Sequence, residues 1–168
     1  IAHINYVHQM DVGNRLILDT SSLRHLEITH NLRDGGVKGT LLDVLDRTLT
    51  PMGARLLKQW LESPLTDIST IQRRQAAVAE LISRNGERCE IQGYLDCIYD
   101  FERIVGRIET GSVSPRDFTS LRESLQVLPQ IKNLLKEFSG LSLSSINTRI
   151  DNHADIYDLL NRAIAEQP

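Results

Sequence analysis

The stretch "LDRTLTPMGARLLKQWLESPLTD", residues 45–67, decides the fold class. Thr50 and Pro51 predict a helix start, because threonine is a good N-cap and proline lacks an N–H that a first helical residue could not bond anyway. Ser63-Pro64 predicts the end of that helix, since the residue before proline avoids the helical region. The apolar residues between these signals recur at helical spacing and are Met52, Leu56, Leu57, Trp60 and Leu61, with Arg55, Lys58 and Gln59 on the exposed side. Two helical pieces that meet at Thr50-Pro51 are predicted.

The N-terminal side of this stretch holds the one candidate strand. The apolar run Arg15–Asp19 is short enough to be a β element, and "TSSLRHLEI" after it predicts a short helix capped by Ser21 or Ser22. Residues 31–39 contain three glycines and an Asp, which indicates a surface loop. Thr40 and Asp43 then stand in capping-box order before a leucine-rich helix.

The C-terminal side predicts further helices. Asp67 is expected to cap a helix that ends at Asn85-Gly86 and whose apolar set is Ile68, Ile71, Val78, Leu81 and Ile82. The apolar residues of a further helix, which Gly111 ends, are Leu95, Ile98, Phe101, Ile104, Val105 and Ile108.

A third capping signal opens the longest periodic segment. Ser114 is the predicted N-cap, Pro115 the first helical residue and Asp117 the third, which completes a capping box. Pro129 lies inside the apolar pattern and is expected to kink or end this helix at Leu128.

The last predicted helix runs from Asn152 to Glu166. Its apolar side is narrow, because Ile156, Leu160 and Ile164 follow at four-residue steps, and a narrow side suits packing against one partner helix. That partner is expected to lie outside this chain, and Asp158 and Arg162 are expected to pair on the outer face. The fold class predicted from all these signals is an all-α, multi-helix bundle with a small β element near the N-terminus.

Composition and charge exclude several functional classes. The chain has 168 residues, of which 40% are hydrophobic and 24% charged, an ordinary composition for one globular domain. Its formal net charge is −3, whereas proteins that grip a phosphate backbone alone carry a basic face. Cys89 and Cys97 are too far apart along a predicted helix for a disulfide, which indicates reduced thiols and a cytoplasmic protein. No apolar run is long enough to cross a membrane.

Candidate chemistry is sparse. "DGGVKGT" superficially resembles a phosphate-binding loop, but Lys38 precedes the last glycine instead of following it, so a solvated loop is the better interpretation. The five histidines do not form a metal-ligating pattern. Trp60 is interpreted as a core or interface anchor, because it lies in an apolar stripe. The densest charged cluster contains Asp100, Glu102, Arg103 and Arg107, and alternating signs near helical spacing favour salt bridges over acid–base catalysis.

Three sequence blocks carry a family resemblance. They are "LILDTSSLRHLEITHNL", "GTLLDVLDRTLTPMGARLLKQWLESPLTDISTIQRRQAAVAEL" and "DFERIVGRIETGSVSPRDFTSLRESLQVLPQI". In order and spacing they closely resemble the central core or lever region of bacterial MutS, a family of DNA mismatch repair proteins. His25 is one departure, because the family pattern usually has Asn there.

The resemblance implies functions that these residues do not themselves perform. MutS-like proteins read a mismatch through an aromatic residue and a Glu in an N-terminal domain, and they hydrolyse ATP at a phosphate loop in a C-terminal domain. Neither motif is in this sequence, so the chain is expected to be no enzyme and to bind no cofactor or metal, with ATP and Mg bound by the parent protein. The implied partners are other domains of the parent chain, double-stranded DNA through the parent, and a second parent copy in a homodimer.

The resemblance also implies an organisation. Residues 1–20 are expected to be an entry segment from a preceding domain, residues 21–150 a helical core domain, and residues 151–168 the start of a lever helix leading toward a DNA clamp. The opening "IAHINYVHQM" and an end near the clamp are expected to make this chain a piece of a longer protein. The residues that specify geometry, and so are predicted to couple the parts, are Thr50, Pro51, Trp60, Glu102, Arg103, Arg107, Ser114, Pro115, Asp117, Ile156, Leu160 and Ile164.

Two alternatives remain open beside a transmission element. A free-standing helical interaction module would need its own exposed apolar patch. An enzyme built on the cluster from Asp100 to Arg107 would need a cleft and strongly perturbed carboxylates. Whether the parent repairs mismatches or is a paralogue with other DNA work also stays open.

Overall fold

The computed structural model describes residues 12–164, and this part of the chain is helical. A short 3-10 turn, Val12–Asn14, precedes the α-helices. The helices are α1 (Thr20–His25), α2 (Leu41–Leu45), α3 (Pro51–Glu62), α4 (Ile68–Ser83), α5 (Asn85–Leu95), α6 (Phe101–Glu109), α7 (Pro115–Leu135), α8 (Leu141–Arg149) and α9 (Ala154–Ala163). The prediction of an all-α fold is confirmed.

The chain divides into two compact units. The first comprises Ile1–Asp46 and Leu57–Ile71, and the second comprises Arg47–Leu56 and Gln72–Pro168. The core of the second unit is a cluster of buried apolar residues, which are Ile98, Ile131, Leu135, Phe138 and Leu143. The predicted division at residues 20 and 150 stays a prediction.

The predicted strand Arg15–Asp19 does not form. Arg15 makes a single antiparallel bridge with Leu65, in which the Leu16 N–H donates to the Pro64 carbonyl at 2.8 Å. The apolar side chains of the run, Leu16 and Ile17, are exposed. A strand needs a partner of several residues, and here only this one bridge is available among the described residues.

The predicted capping residues are found at the starts of α2, α3, α4 and α7, but not at α1. Thr50 accepts a hydrogen bond from the Gly53 N–H at 3.0 Å, and Asp67 accepts one from the Thr70 N–H at 2.9 Å. At α1 the cap is Asp19, whose carboxylate accepts from the Ser22 N–H, and not Ser21 or Ser22. A charged acceptor makes the stronger hydrogen bond, which accounts for the difference.

Two predicted helical boundaries are wrong. Asn85-Gly86 lies in the first turn of α5, and only Arg84 separates α4 from α5. The helix predicted from Leu95 to Ile108 is interrupted, because α6 begins anew at Phe101 with Asp100 as its N-cap. Of the apolar set assigned to α4, Ile68, Val78 and Ile82 are exposed.

Helix α7 passes through Pro129 instead of ending there. Its N-terminus has the predicted capping box, with the Ser114 side chain accepting from the Asp117 N–H and the Asp117 side chain accepting from the Ser114 N–H. The helix nevertheless continues to Leu135, whose side chain is in the core cluster. Tertiary packing of residues on both sides of Pro129 therefore outweighs the local cost of proline.

The last helix is shorter than predicted and has a partner in this chain. Helix α9 spans Ala154–Ala163, and the predicted end at Glu166 lies outside the described residues. It packs against α7, with Leu160 buried, so the expectation of an absent partner helix is wrong. Arg162 donates to the backbone carbonyl of Asp158 at 3.3 Å and forms no ion pair with its side chain.

Candidate coupling site

One end of α6 is tied to α3 by an arginine. Arg55, on α3, donates from both terminal nitrogens to the two carboxylate oxygens of Asp100 at 2.7 Å each. Its Nε also donates to Glu102 Oε2 at 2.9 Å. Asp100 is the N-cap of α6, and its carboxylate accepts from the Arg103 N–H at 3.3 Å. The same carboxylate therefore caps α6 and binds α3 through Arg55.

The electrostatics of this contact keep Asp100 ionised. The Arg55 hydrogen bond is the main cause that lowers the pKa of Asp100, to about 2, and partial burial opposes it. The same pairing raises the pKa of Arg55. Arg103 adds a longer contact, from Nε to Asp100 Oδ2 at 3.4 Å, with its own side chain largely exposed.

The other end of α6 is tied to α7. Arg107, in the last turn of α6, donates from Nε and a terminal nitrogen to the two oxygens of Asp117 at 3.1 and 2.5 Å. Asp117 is also the third residue of α7 and accepts from the Ser114 N–H and hydroxyl at 2.9 Å each. These contacts, the Ser114 backbone hydrogen bond first, lower the pKa of Asp117.

The predicted charged cluster therefore divides into two bidentate contacts, one at each end of α6. A carboxylate held ionised by arginine is a poor proton carrier near neutral pH, so the geometry does not favour acid–base chemistry. Sequence reasoning placed Arg55 on an exposed face and missed its role. Its partners lie 45 and 47 residues away, and no local signal indicates such a pairing.

A buried serine joins the same region and was also missed. Ser124, on α7, is fully buried, accepts from the Tyr99 N–H at 2.9 Å and donates to the Ser120 carbonyl at 2.7 Å. The hydrogen bond from the Tyr99 N–H holds the backbone just before Asp100 against α7. A serine in the middle of a helical pattern carries no signal for this contact.

The other predicted coupling residues occupy separate places. Thr50 and Pro51 form the start of α3 as predicted. Trp60 is 37% exposed, so it is not a core residue of the described chain. On α9, Leu160 is buried, Ile156 is exposed, and Ile164 follows the helix as its extended C-cap.

The glycine-rich loop is closed by its own hydrogen bonds. The Asn31 N–H donates to the Gly36 carbonyl at 2.8 Å, and the Gly36 N–H donates to Asp34 Oδ1 at 2.8 Å. The Gly39 N–H donates to Asp43 Oδ2 at 2.9 Å. A phosphate-binding loop needs such amides to converge on the ligand, so the solvated-loop interpretation is favoured.

Neither a metal-ligand cluster nor a membrane-spanning helix is found among the described residues. Across residues 12–164, no group of three or more His, Cys, Asp or Glu side chains is arranged to hold a metal ion. Within the same range, no helix is both long and apolar enough to cross a membrane. Cys89 and Cys97 are free and exposed.

Comparison with known proteins matches almost the whole chain. The family model for MutS domain III matches residues 21–168. A protein of Caldanaerobacter subterraneus subsp. tengcongensis named DNA mismatch repair protein MutS is 44% identical over 168 residues, which is 100% of this chain and 19% of that protein. Proteins of the same name from Symbiobacterium thermophilum and Methanothrix thermoacetophila are 41% and 39% identical, again over 100% of this chain.

The chain spans about a fifth of the length of these curated relatives. This chain belongs to the MutS domain III family.

Proposed function

We propose that this chain is the central core and lever part of a DNA mismatch repair protein, in which it transmits conformational change between DNA-binding parts and an ATPase domain. It performs no chemistry of its own in this role. ATP and Mg, double-stranded DNA and a second copy of the parent are partners of the whole protein, which acts in the cytoplasm. Membership of the MutS domain III family and the names of the relatives support this proposal.

The proposal rests on the two arginine–carboxylate contacts that hold α6, one at each of its ends. Arg55 holds its first turn to α3, and Arg107 holds its last turn to α7. Bidentate arginine–carboxylate contacts fix the relative orientation of two helices as well as their distance. A displacement of α3 is therefore passed to α7 through a helix with little freedom to absorb it.

The exposed apolar side chains support an element that works inside a larger protein. Ile68 and Ile82 on α4, Val105 on α6 and Leu159 on α9 are more than half exposed or close to it, at 69%, 63%, 48% and 57%. In the proposed role, other parts of the parent cover these side chains. This same observation favours the second candidate, a free-standing helical interaction module.

The decisive experiment uses the parent protein with Arg107→Ala. The variant should keep its basal rate of ATP hydrolysis, whereas the stimulation of that rate by DNA should fall several-fold, because α6 can then move without α7. Arg55→Ala should act in the same direction. Basal and DNA-stimulated turnover are measured side by side, with thermal melting of each variant as a check on folding.

Arg116→Ala is the matched control. Arg116 lies beside Asp117 in the first turn of α7, is exposed and forms no ion pair among the described residues. Its removal should leave the DNA stimulation unchanged. If Arg107→Ala folds and retains full DNA stimulation, the transmission role of α6 is wrong and an interaction module becomes the better explanation.

A further inference from the structure

Helix α8 is weak by its own sequence. Its residues, "LSLSSINTR", include three serines, an Asn, a Thr and an Ile, all of which are poor or middling helix formers. Nine residues are also fewer than an isolated helix needs in water. Gly140 is its N-cap and has no side chain to bond the free backbone amides. Local sequence therefore does not account for α8, and none of the predicted helices covers these residues.

A carboxylate from another helix replaces the missing cap. Glu80, near the end of α4, accepts from the Ser139 N–H at 2.8 Å and from the Gly140 N–H at 3.1 Å. A Cβ on residue 140 would overlap Glu80 Oε2, so any larger residue there would require this carboxylate to move, although the backbone is an ordinary extended one. The negative charge also lies at the end of α8 where the helix dipole favours it.

An ammonium group from a third helix holds the opposite end. Lys132, on α7, donates from Nζ to the carbonyl of Ile150, the C-cap residue of α8, at 2.7 Å. This positive charge lies at the end where the dipole favours a cation. Between the two ties, Leu143 is the one buried side chain of α8 and lies in the core cluster of the second unit.

We propose that α8 is a detachable helix, ordered by Glu80 and Lys132, that opens as one unit while α7 stays folded. This conformational device goes beyond the transmission role and does not depend on it. Phe138, buried in the core cluster and stacked on Arg84 at 5.5 Å, stays in place and sets the hinge at Ser139-Gly140. Opening removes Leu143 from the cluster and turns residues 139–153 into a tether between α7 and α9.

Hydrogen exchange on the full 168-residue chain tests the proposal. The amides of Ser144 and Ile150, which donate to carbonyls in and before α8, should exchange faster than those in the middle of α7. In Glu80→Ala they should exchange faster still, on the order of ten-fold or more, because a hydrogen bond to a charged group is lost. In Glu80→Ala the exchange rates of the α7 amides should change no more than they do in Glu90→Ala, which alters an exposed residue on α5 and serves as the control.

Two milder variants keep the test decisive if Glu80→Ala folds poorly. Glu80→Gln keeps an acceptor but loses the charge, so it should give a smaller change of the same kind. Gly140→Ala should also speed exchange in α8, although alanine is the better helix former, because its Cβ displaces the carboxylate. Equal exchange rates in α7 and α8, or α8 rates that none of these variants changes, would overturn the proposal.

Discussion

At the scale of single residues, Arg55 and Asp100 show how one contact can serve two purposes. The Asp100 carboxylate caps α6 and accepts hydrogen bonds from both terminal nitrogens of Arg55. Its side chain is 13% exposed, so solvent screens it less than an ordinary surface pair. Asp67 is a simpler case, in which the hydroxyl of Thr70 is the main cause that lowers the pKa of the capping carboxylate to about 2.

The residue-scale prediction concerns acid stability. Asp100 has a folded-state pKa of about 2, below the ordinary value of 3.8, so its stabilising effect is full above about pH 4 and is lost as the pH falls toward 2. Arg55→Ala should reduce this loss of stability at low pH, because the pKa of Asp100 is then more nearly the same in the folded and unfolded states. Denaturant midpoints measured between pH 2 and 5 (roughly the range of that transition) check it. Arg116→Ala should leave the change of the denaturant midpoint with pH as it is in the unsubstituted chain. If Arg55→Ala also leaves it the same, the attribution of the low Asp100 pKa to Arg55 is contradicted.

At the scale of elements, α6 is short and depends on what surrounds it. Nine residues give little intrinsic helix stability, so its two arginine contacts and its buried side determine its position. Ile104 is 2% exposed, whereas its neighbour Val105 is 48% exposed. The helix therefore has one buried face within the second unit and another that is exposed in this chain.

The element-scale prediction compares those two faces. Ile104→Ala should lower the free energy of unfolding by about 2–5 kcal/mol, because it removes buried atoms and leaves a cavity. Val105→Ala, on the exposed side of the same helix, should change it by roughly 0.5 kcal/mol or less. Chemical denaturation of the second unit, followed by circular dichroism, measures both. Equal losses would show that α6 is oriented differently.

At the scale of the whole molecule, charge and motif content limit what this chain does alone. Its net charge of −3 gives no overall attraction to a phosphate backbone. The described residues hold no metal cluster, and the amides of the glycine-rich loop are bonded within the loop. The work proposed for the chain is mechanical and involves the rest of the parent.

The whole-molecule prediction is that the isolated chain neither hydrolyses ATP nor distinguishes mismatched from matched duplex. Any duplex binding should be weak and should disappear as salt is raised, because it would be electrostatic and nonspecific. Duplex titrations at low and moderate salt, with and without a mismatch, measure this. Tight binding with a mismatch preference would assign to this chain a role that we place in other parts of the parent.

Sequence reasoning located those features whose cause is local. The start of α3 at Thr50-Pro51, the capping box at Ser114 and Asp117, and the all-α class were predictable, because a helix cap is formed by residues three positions apart. The family resemblance is likewise visible in the sequence, in the three blocks at residues 16–32, 39–81 and 100–131.

Tertiary structure alone decided the rest. Arg55 meets Asp100 across 45 residues, and Glu80 meets Gly140 across 60, so neither pair has a signature in the chain. The same holds for α8, which is ordered by charges on α4 and α7, and for Pro129, which packing keeps inside α7. The burial of an apolar residue such as Ile104, but not Val105, depends on which neighbours the fold brings to each face. Local sequence therefore determines the capped helix starts, such as those of α3 and α7, whereas long-range contacts determine which helices hold one another in place.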